Sequence, residues 1–223
     1  IEDATEASYY WLRGRIHEWK AKGKIVGLLG GDHSISLPYH QYLHSTNTEY
    51  GILHIDAHND LREKFFEGFR YSHASICYHA LRLDTIKKLV QVGVRDYCPQ
   101  EKQFVAENKD RIKVFYDRDC RKRMYEGANW KNICDDIIAE LPEKVYVSVD
   151  IDGLDPKLCP HTGTPVPGGL EYEELMYLLN CLKSYKKKIV GFDLCEVSPG
   201  NDSSEWDGNV GARVLYHLCG LCV

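Results

Sequence analysis

Three short stretches concentrate the side chains able to do chemistry: Gly30-Gly31-Asp32-His33-Ser34, Asp56-Ala57-His58-Asn59-Asp60 and Asp150-Ile151-Asp152-Gly153-Leu154-Asp155-Pro156. Each follows a short apolar run that reads as a buried strand. A buried carboxylate costs several kcal/mol unless it is paired or coordinates a metal. No run of Lys or Arg lies beside these clusters, so a metal is the economical counter-charge. In Asp56-x-His58 and Asp150-x-Asp152, alternate residues share a face if the extended geometry continues. Asp60 follows four residues after Asp56, where the chain turns. His33, Asp56, His58, Asp60, Asp150 and Asp152 are more ligands than one ion takes. Two ions roughly 3.5–4 Å apart with a shared water are implied. Carboxylate and imidazole donors without thiolate favour a harder ion such as Mn²⁺ over a structural Zn²⁺. Asp32 and Ser34 also suit the capping of a turn.

These clusters need rigid elements to position them. Strand candidates are 25–29, 52–56, 89–94, 112–116, 145–150 and 189–194; helical stretches include 5–20, 72–87, 130–140 and 172–183. The strands show little in-and-out alternation, as expected when both faces are covered. Strand–helix alternation predicts a three-layer α/β/α sandwich around a mainly parallel sheet. No repeat or Pro/Gly/Ser-rich linker divides residues 1–223, which read as one domain. Lys186-Lys187-Lys188 reads as a solvated strand entry. Ligands of such sheets bind beyond the carboxyl ends of the strands, where the three clusters lie.

The composition, 43% hydrophobic and 27% charged over 223 residues, excludes a disordered, collagen-like or coiled-coil chain. A formal charge of −5 gives no broad basic face for nucleic acid. No apolar run approaches the ~20 residues of a membrane span. Nine cysteines are scattered along the chain, and only Cys219 and Cys222 form a CxxC. Reduced thiols in a cytoplasmic protein explain them better than a disulfide framework or a zinc cage. A redox pair at Cys219/Cys222 is the minor alternative.

Gly30-Gly31-Asp32-His33-Ser34, Asp56-Ala57-His58-x-Asp60 and Ser148-Val149-Asp150-Ile151-Asp152-Gly153-Leu154-Asp155-Pro156 together resemble the signature motifs of the ureohydrolase superfamily, in that family's order. The superfamily holds arginase, agmatinase, formimidoylglutamase and guanidinobutyrase. The resemblance runs from about residue 27 to 219. It implies a dimanganese centre in an α/β/α fold. His33, Asp56, Asp60 and Asp150 would hold one ion; Asp56, His58, Asp150 and Asp152 would hold the other. It also implies a longer N-terminal region than precedes the first motif here, and assembly as a homo-oligomer, a trimer or hexamer.

Hydrolysis of a resonance-stabilised guanidinium needs a strong nucleophile and a protonated leaving amine. Two metals lower the pKa of a shared water enough to supply the first. Asp60 can accept a hydrogen bond from that nucleophile. His73 resembles the family's general acid/base histidine and would protonate the amine. Glu196, in Asp193-Leu194-Cys195-Glu196-Val197-Ser198-Pro199, matches the glutamate that pairs with the planar guanidinium. Asp193 reads as structural support, and Thr164 matches a pocket-lining position.

The positions that hold the α-amino-acid end of arginine in arginases resemble Arg62, Phe69 and Cys98 here, so the anchors for free arginine are absent. Formimidoylglutamases usually lack the histidine matching His73. Residues 60–73, Glu-Val-Ser-Pro at 196–199 and Pro167-Gly168-Gly169-Leu170 look most like agmatinases. The implied reaction is agmatine plus water to putrescine and urea, a step of polyamine biosynthesis. Arg62 or Arg70 in the pocket would favour 4-guanidinobutyrate; Glu67 there would favour a cationic tail. A non-catalytic metal-binding family member is the rival from another class, although no residue of the site looks deactivated.

Overall fold

Six parallel strands form one sheet in the order β1-β6-β5-β2-β3-β4. They are β1 (Gly27–Leu29), β2 (Tyr50–Ile55), β3 (Ile86–Val92), β4 (Ile112–Phe115), β5 (Lys144–Asp150) and β6 (Lys188–Cys195). The computed structural model describes residues 2–66, 70–200 and 204–223, with the backbone alone for 2–4. Helices α1 (Glu2–Ala21), α2 (Ser36–Ser45), α3 (Ile76–Ala80) and α4 (Pro99–Glu107) supply one outer layer; α5 (Asp117–Tyr125), α6 (Trp130–Glu140), α7 (Tyr172–Ser184) and α8 (Trp206–Gly220) supply the other. The expected α/β/α sandwich is therefore observed.

Alternation along the strands divides the core. Leu53, Ile55, Val145, Val147 and Val149 pack towards α5–α8, whereas Tyr50, Ile52 and Tyr146 pack towards α1–α4. Apolar side chains fill both sides, which hid this period in the sequence. In α6 and α7 the stripes Ile133/Cys134/Ile137/Ile138 and Leu175/Leu178/Leu179/Leu182 are buried, the spacing of a helix with one covered face. Asn129 and Asn132 close the start of α6 with reciprocal side-chain-to-backbone hydrogen bonds.

Most element boundaries differ from the sequence expectation by one to three residues. One expectation fails outright. The stretch 72–87 is not a continuous helix: a 3-10 turn, His73–Ser75, leads into the short α3, and β3 already begins at Ile86. Ser75 Oγ accepts from the Ser72 N–H at 3.0 Å, closing the turn locally. Ile86, fully buried in the sheet, and Lys87 belong to β3 and end the segment that a helix would have used. Helices α2, α4, α5 and α8 were not anticipated. In α5 a charge-rich sequence buries little beyond Asp117 and Cys120, so no apolar period announces it. Lys188 opens β6 and pairs with Glu143, as a solvated strand entry would.

The chain places β3 and β4 on one side of β2, then returns to lay β5 on the other. The reversal opens a crevice between the carboxyl ends of β2 and β5, where such sheets bind ligands.

Candidate active site

Asp56 follows β2 directly and Asp150 is the last residue of β5, so both carboxylates stand at this crevice. Backbone N–H groups fix one oxygen of each acid. Asp56 Oδ1 accepts from His58 N at 2.6 Å, Asp150 Oδ1 from Asp152 N at 2.9 Å, and Asp152 Oδ1 from Ala57 N at 3.0 Å. The two x-separated pairs therefore do not converge by strand pleat. Both lie in turns, Asp152 within the 3-10 turn Ile151–Gly153, because each aspartate's own carboxylate caps the backbone two residues on. Gly153 allows this turn to press on β2: a Cβ there would lie 2.8 Å from Asp56 N.

Two donor sets share Asp56. His33 Nδ1 lies 3.2 Å from Asp56 Oδ2, 3.4 Å from Asp60 Oδ2 and 3.3 Å from Asp150 Oδ2. His58 Nδ1 lies 3.3 Å from Asp56 Oδ1 and 3.1 Å from Asp152 Oδ2. Such donor spacings suit an ion with bonds of roughly 2.1 Å. Asp56 spans both sets with its two oxygens, and Asp150 and Asp152 reach them from the neighbouring strand end. All six ligands expected from the sequence are brought together.

Hydrogen bonding prepares His33 as a ligand. Ser148 Oγ donates to Asp193 Oδ1 at 2.9 Å, so it accepts from His33 Nε2 at 2.7 Å. The proton on Nε2 leaves a lone pair on Nδ1. Both His33 Nδ1 and Asp56 Oδ2 are buried without a hydrogen-bond partner. An unsatisfied buried group costs about 1–3 kcal/mol, and a divalent cation would satisfy both. The donor set fits a hard dinuclear centre.

The electrostatics agree. Burial opposes ionisation of Asp56, yet His54, His33 and His58 hold it well below the usual carboxylate range. Burial and the charge of Asp56 push Asp60 and Asp150 up. Burial works against the His58 cation, but hydrogen bonds to Asp152 and Asp56 push it up to about 11. So crowded a set of acids holds protons until a cation replaces them.

Above the carboxylates is a cavity of about 180 Å³, lined among others by Asp60, His73, Thr164 and Glu196. Glu196 follows β6; its Oε1 accepts from His33 N at 2.9 Å, and burial pushes its pKa up. Both Asp60 and Glu196 have left-handed backbone, at φ 53° and 64°. Such strain costs of order 1–3 kcal/mol and concentrates at functional sites. His73 packs its ring on Phe65, centroids 5.1 Å apart. Thr164 lines the cavity and also donates to Asp152 Oδ2 at 3.2 Å, so it braces a ligand as well.

Arg62, Asp96 and Tyr97 line the outer part of the cavity, whereas Arg70 and Cys98 are not among its lining residues. The Arg62 guanidinium lies over the Phe65 ring and 3.9 Å from Glu101. Glu67 and Phe69 lie outside the described residues. Asp32 caps the turn at His33, accepting from Ser34 N at 2.9 Å.

Sequence reasoning did not single out His54, Asn59, Gln91 or Ser148 as site residues. Each is fully buried. For His54 and Ser148 a polar residue inside an otherwise apolar strand was the available signal, whereas Asn59 lies in the loop after β2 and Gln91 in a strand that also carries Lys87 and Lys88. Arg95 is a further organiser: its guanidinium donates to the carbonyls of Gly93, Asp152, Leu154 and Val166, tying the β3 and β5 loops together.

A fold and a site of this form define a class, and the comparisons agree. Residues 4–220 match the model of the arginase family. The N(1)-aminopropylagmatine ureohydrolase of Thermus thermophilus is 34% identical over 223 residues, covering 99% of this chain and 70% of that enzyme. The guanidinobutyrase of Pseudomonas aeruginosa is 32% identical over 202 residues, 87% of this chain and 59% of that enzyme. The solved proclavaminate amidinohydrolase of Streptomyces clavuligerus superposes with a TM-score of 0.82 at 27% identity, covering all of this chain and 71% of that one. The chain belongs to the arginase family, whose members are metal-dependent hydrolases of guanidino compounds.

Proposed function

We propose that this chain hydrolyses a small linear guanidine carrying a cationic tail, agmatine first, to urea and the free amine. The observation that carries this reading is the pair of donor sets sharing Asp56 at the floor of a cavity whose wall holds His73 and Glu196. Two divalent ions bound by His33, Asp56, His58, Asp60, Asp150 and Asp152 would supply a water acidic enough to attack at neutral pH.

The chain's own groups account for the rest. Glu196 is held in one orientation by the His33 N–H and receives the guanidinium. Asp60, fixed by its turn, accepts a hydrogen bond from the attacking water and so aims it at the guanidinium carbon. His73 gives a proton to the departing nitrogen, so the amine leaves neutral rather than as an anion. Phe65 keeps that imidazole facing the cavity.

A cavity of about 180 Å³ suits a short alkyl guanidine rather than a drug-sized ligand. Its outer part supports the choice of tail. Asp96 is exposed there, while the Arg62 cation is already engaged by Phe65 and Glu101. An exposed carboxylate, 3.9 Å from His58 Nε2, beside an occupied guanidinium favours an ammonium tail over a carboxylate one. Manganese as the metal, a homo-oligomeric assembly and a cytoplasmic location belong to the same reading. The mixed O/N donor set supports the first, the family the second, and nine free cysteines the third.

The test is urea release by Mn²⁺-loaded protein from agmatine, N(1)-aminopropylagmatine, 4-guanidinobutyrate, arginine and guanidine, with His73→Ala beside it. Urea from the cationic-tailed substrates, lost in the variant, is expected. Preference for guanidinobutyrate would refute the tail assignment. No urea from any of the five, with two ions bound, would refute the activity.

A further inference from the structure

A row of polar side chains crosses the sheet behind the carboxylates. Gln91 of β3 is the register partner of His54 of β2, His54 that of Ser148 of β5, and Ser148 that of Asp193 of β6. All four are fully buried. Against this row stack two imidazoles, His33 and His54, with centroids 5.1 Å apart and planes inclined by 21°. Each aims one ring nitrogen at the same atom: His33 Nδ1 lies 3.2 Å and His54 Nε2 3.1 Å from Asp56 Oδ2. On distance alone His54 is as good a metal ligand as His33.

The hydrogen bonds behind the rings separate them. His33 presents a lone pair, as the Asp193–Ser148 relay requires. For His54 the deciding group is the Gln91 amide. Its Nε2 lies 2.7 Å from the Asn59 carbonyl oxygen, which can only accept, and its Oε1 accepts from Asn59 Nδ2 at 2.7 Å. The amide is thereby fixed in one orientation. The same Nε2 lies 3.0 Å from His54 Nδ1, so that nitrogen must accept. A neutral imidazole accepting at Nδ1 carries its proton on Nε2. The Nε2–H then lies 3.1 Å from Asp56 Oδ2, close but not aligned for a full hydrogen bond, and neither atom has another hydrogen-bond partner.

We propose that His54 is a positioning residue of the metal centre and not one of its ligands: Gln91 locks it as the Nε2–H tautomer, so it presents a proton to the shared carboxylate. The two stacked rings hold opposite tautomers, one to bind the ion and one to orient the acid that bridges both ions. This rests on the dinuclear reading of the site. Groups that orient ligands in this way commonly change metal affinity by about 10–100-fold.

The test uses protein labelled with ¹⁵N-histidine and titrated with ¹¹³Cd²⁺, with His54→Gln to assign the resonance. Cadmium coupling is expected on two histidines, His33 and His58, at Nδ1. In the cadmium-loaded protein the His54 resonance should show an unprotonated, uncoupled Nδ1 and a protonated Nε2. Coupling at His54, or a proton on its Nδ1, overturns the proposal. Failure to bind two ions would instead refute the dinuclear reading, and with it the role given to His54. Zn²⁺ affinity by chelator competition gives an independent readout. His54→Phe keeps the stacked ring but loses the N–H and should bind about tenfold more weakly. His54→Gln restores a donor and should stay close to the parent, with two ions per chain in both variants. Equal weakening in both, or loss of one ion in His54→Phe, overturns the assignment.

Discussion

Replacing Gly153 by alanine should damage the metal centre far more than the fold. The added Cβ would lie 2.8 Å from Asp56 N, 3.0 Å from Ile55 C and 3.0 Å from Ile55 Cγ2. Two of these neighbours are backbone atoms of the β2 end and cannot rotate away. Restoring ordinary contact, near 3.4 Å, moves the turn away from β2 by roughly 0.6 Å. Asp150 and Asp152 ride on that turn, 3.3 Å and 3.1 Å from their histidine partners across the crevice. Metal and catalytic sites tolerate about 0.5 Å of displacement. The expected result is metal affinity lower by about 10–100-fold and kcat/KM for agmatine lower by up to about 100-fold. The overpacking should cost only about 1–3 kcal/mol of stability. Chelator competition, urea release and thermal melts by circular dichroism read the three quantities. Gly14→Ala is the control: nothing lies within 4 Å of its Cβ on the exposed face of α1, and it should be neutral or stabilising by about 0.5–1 kcal/mol. Parental metal affinity and turnover in Gly153→Ala would refute the idea that this turn clamps the two strand ends.

Metal uptake should release protons. Against the effect of burial, hydrogen bonds to Asp152 and Asp56 hold His58 at about 11, so in metal-free protein it is protonated at neutral pH and must shed that proton to bind. Affinity should therefore rise with pH, and calorimetry in buffers of different ionisation enthalpy checks it. Saturation at 100 times Kd adds about 2.7 kcal/mol, a rise in Tm of roughly 5–10 °C, which a chelator should reverse. His40 is shifted the other way from His58. Burial pulls it down to about 4, below its ordinary 6.5, so the unfolded chain takes up the proton first. Stability should fall as pH drops from 6.5 towards 4, by up to about 3 kcal/mol, and urea melts of His40→Leu should show a flatter profile. Thiol labelling near neutral pH should modify Cys219, which is exposed, while Cys120 and Cys222, pushed up by burial to about 11, stay unreactive. Rapid formation of a Cys219–Cys222 disulfide would contradict this.

The sequence by itself announced the candidate ligands and the sheet. Carboxylates placed where apolar runs end can be stable only with a counter-charge, so Asp56, Asp60, Asp150 and Asp152 announced a cation before any geometry was known. The apolar runs announced the parallel strands because a strand covered on both faces has no polar side. What stayed hidden depends on neighbours distant in the chain. Whether 72–87 becomes a helix was settled by the sheet, which takes Ile86 and Lys87 as strand residues. His54, Gln91, Ser148 and Asp193 are four isolated polar residues in four apolar strands, and nothing in their local spacing connects them. Only the register of β3, β2, β5 and β6 sets them in one row, and only that row decides which nitrogen of His33 and of His54 carries the proton. Ligand type is a property of single residues, whereas a tautomer is a property of hydrogen-bond partners, and the sheet supplies those.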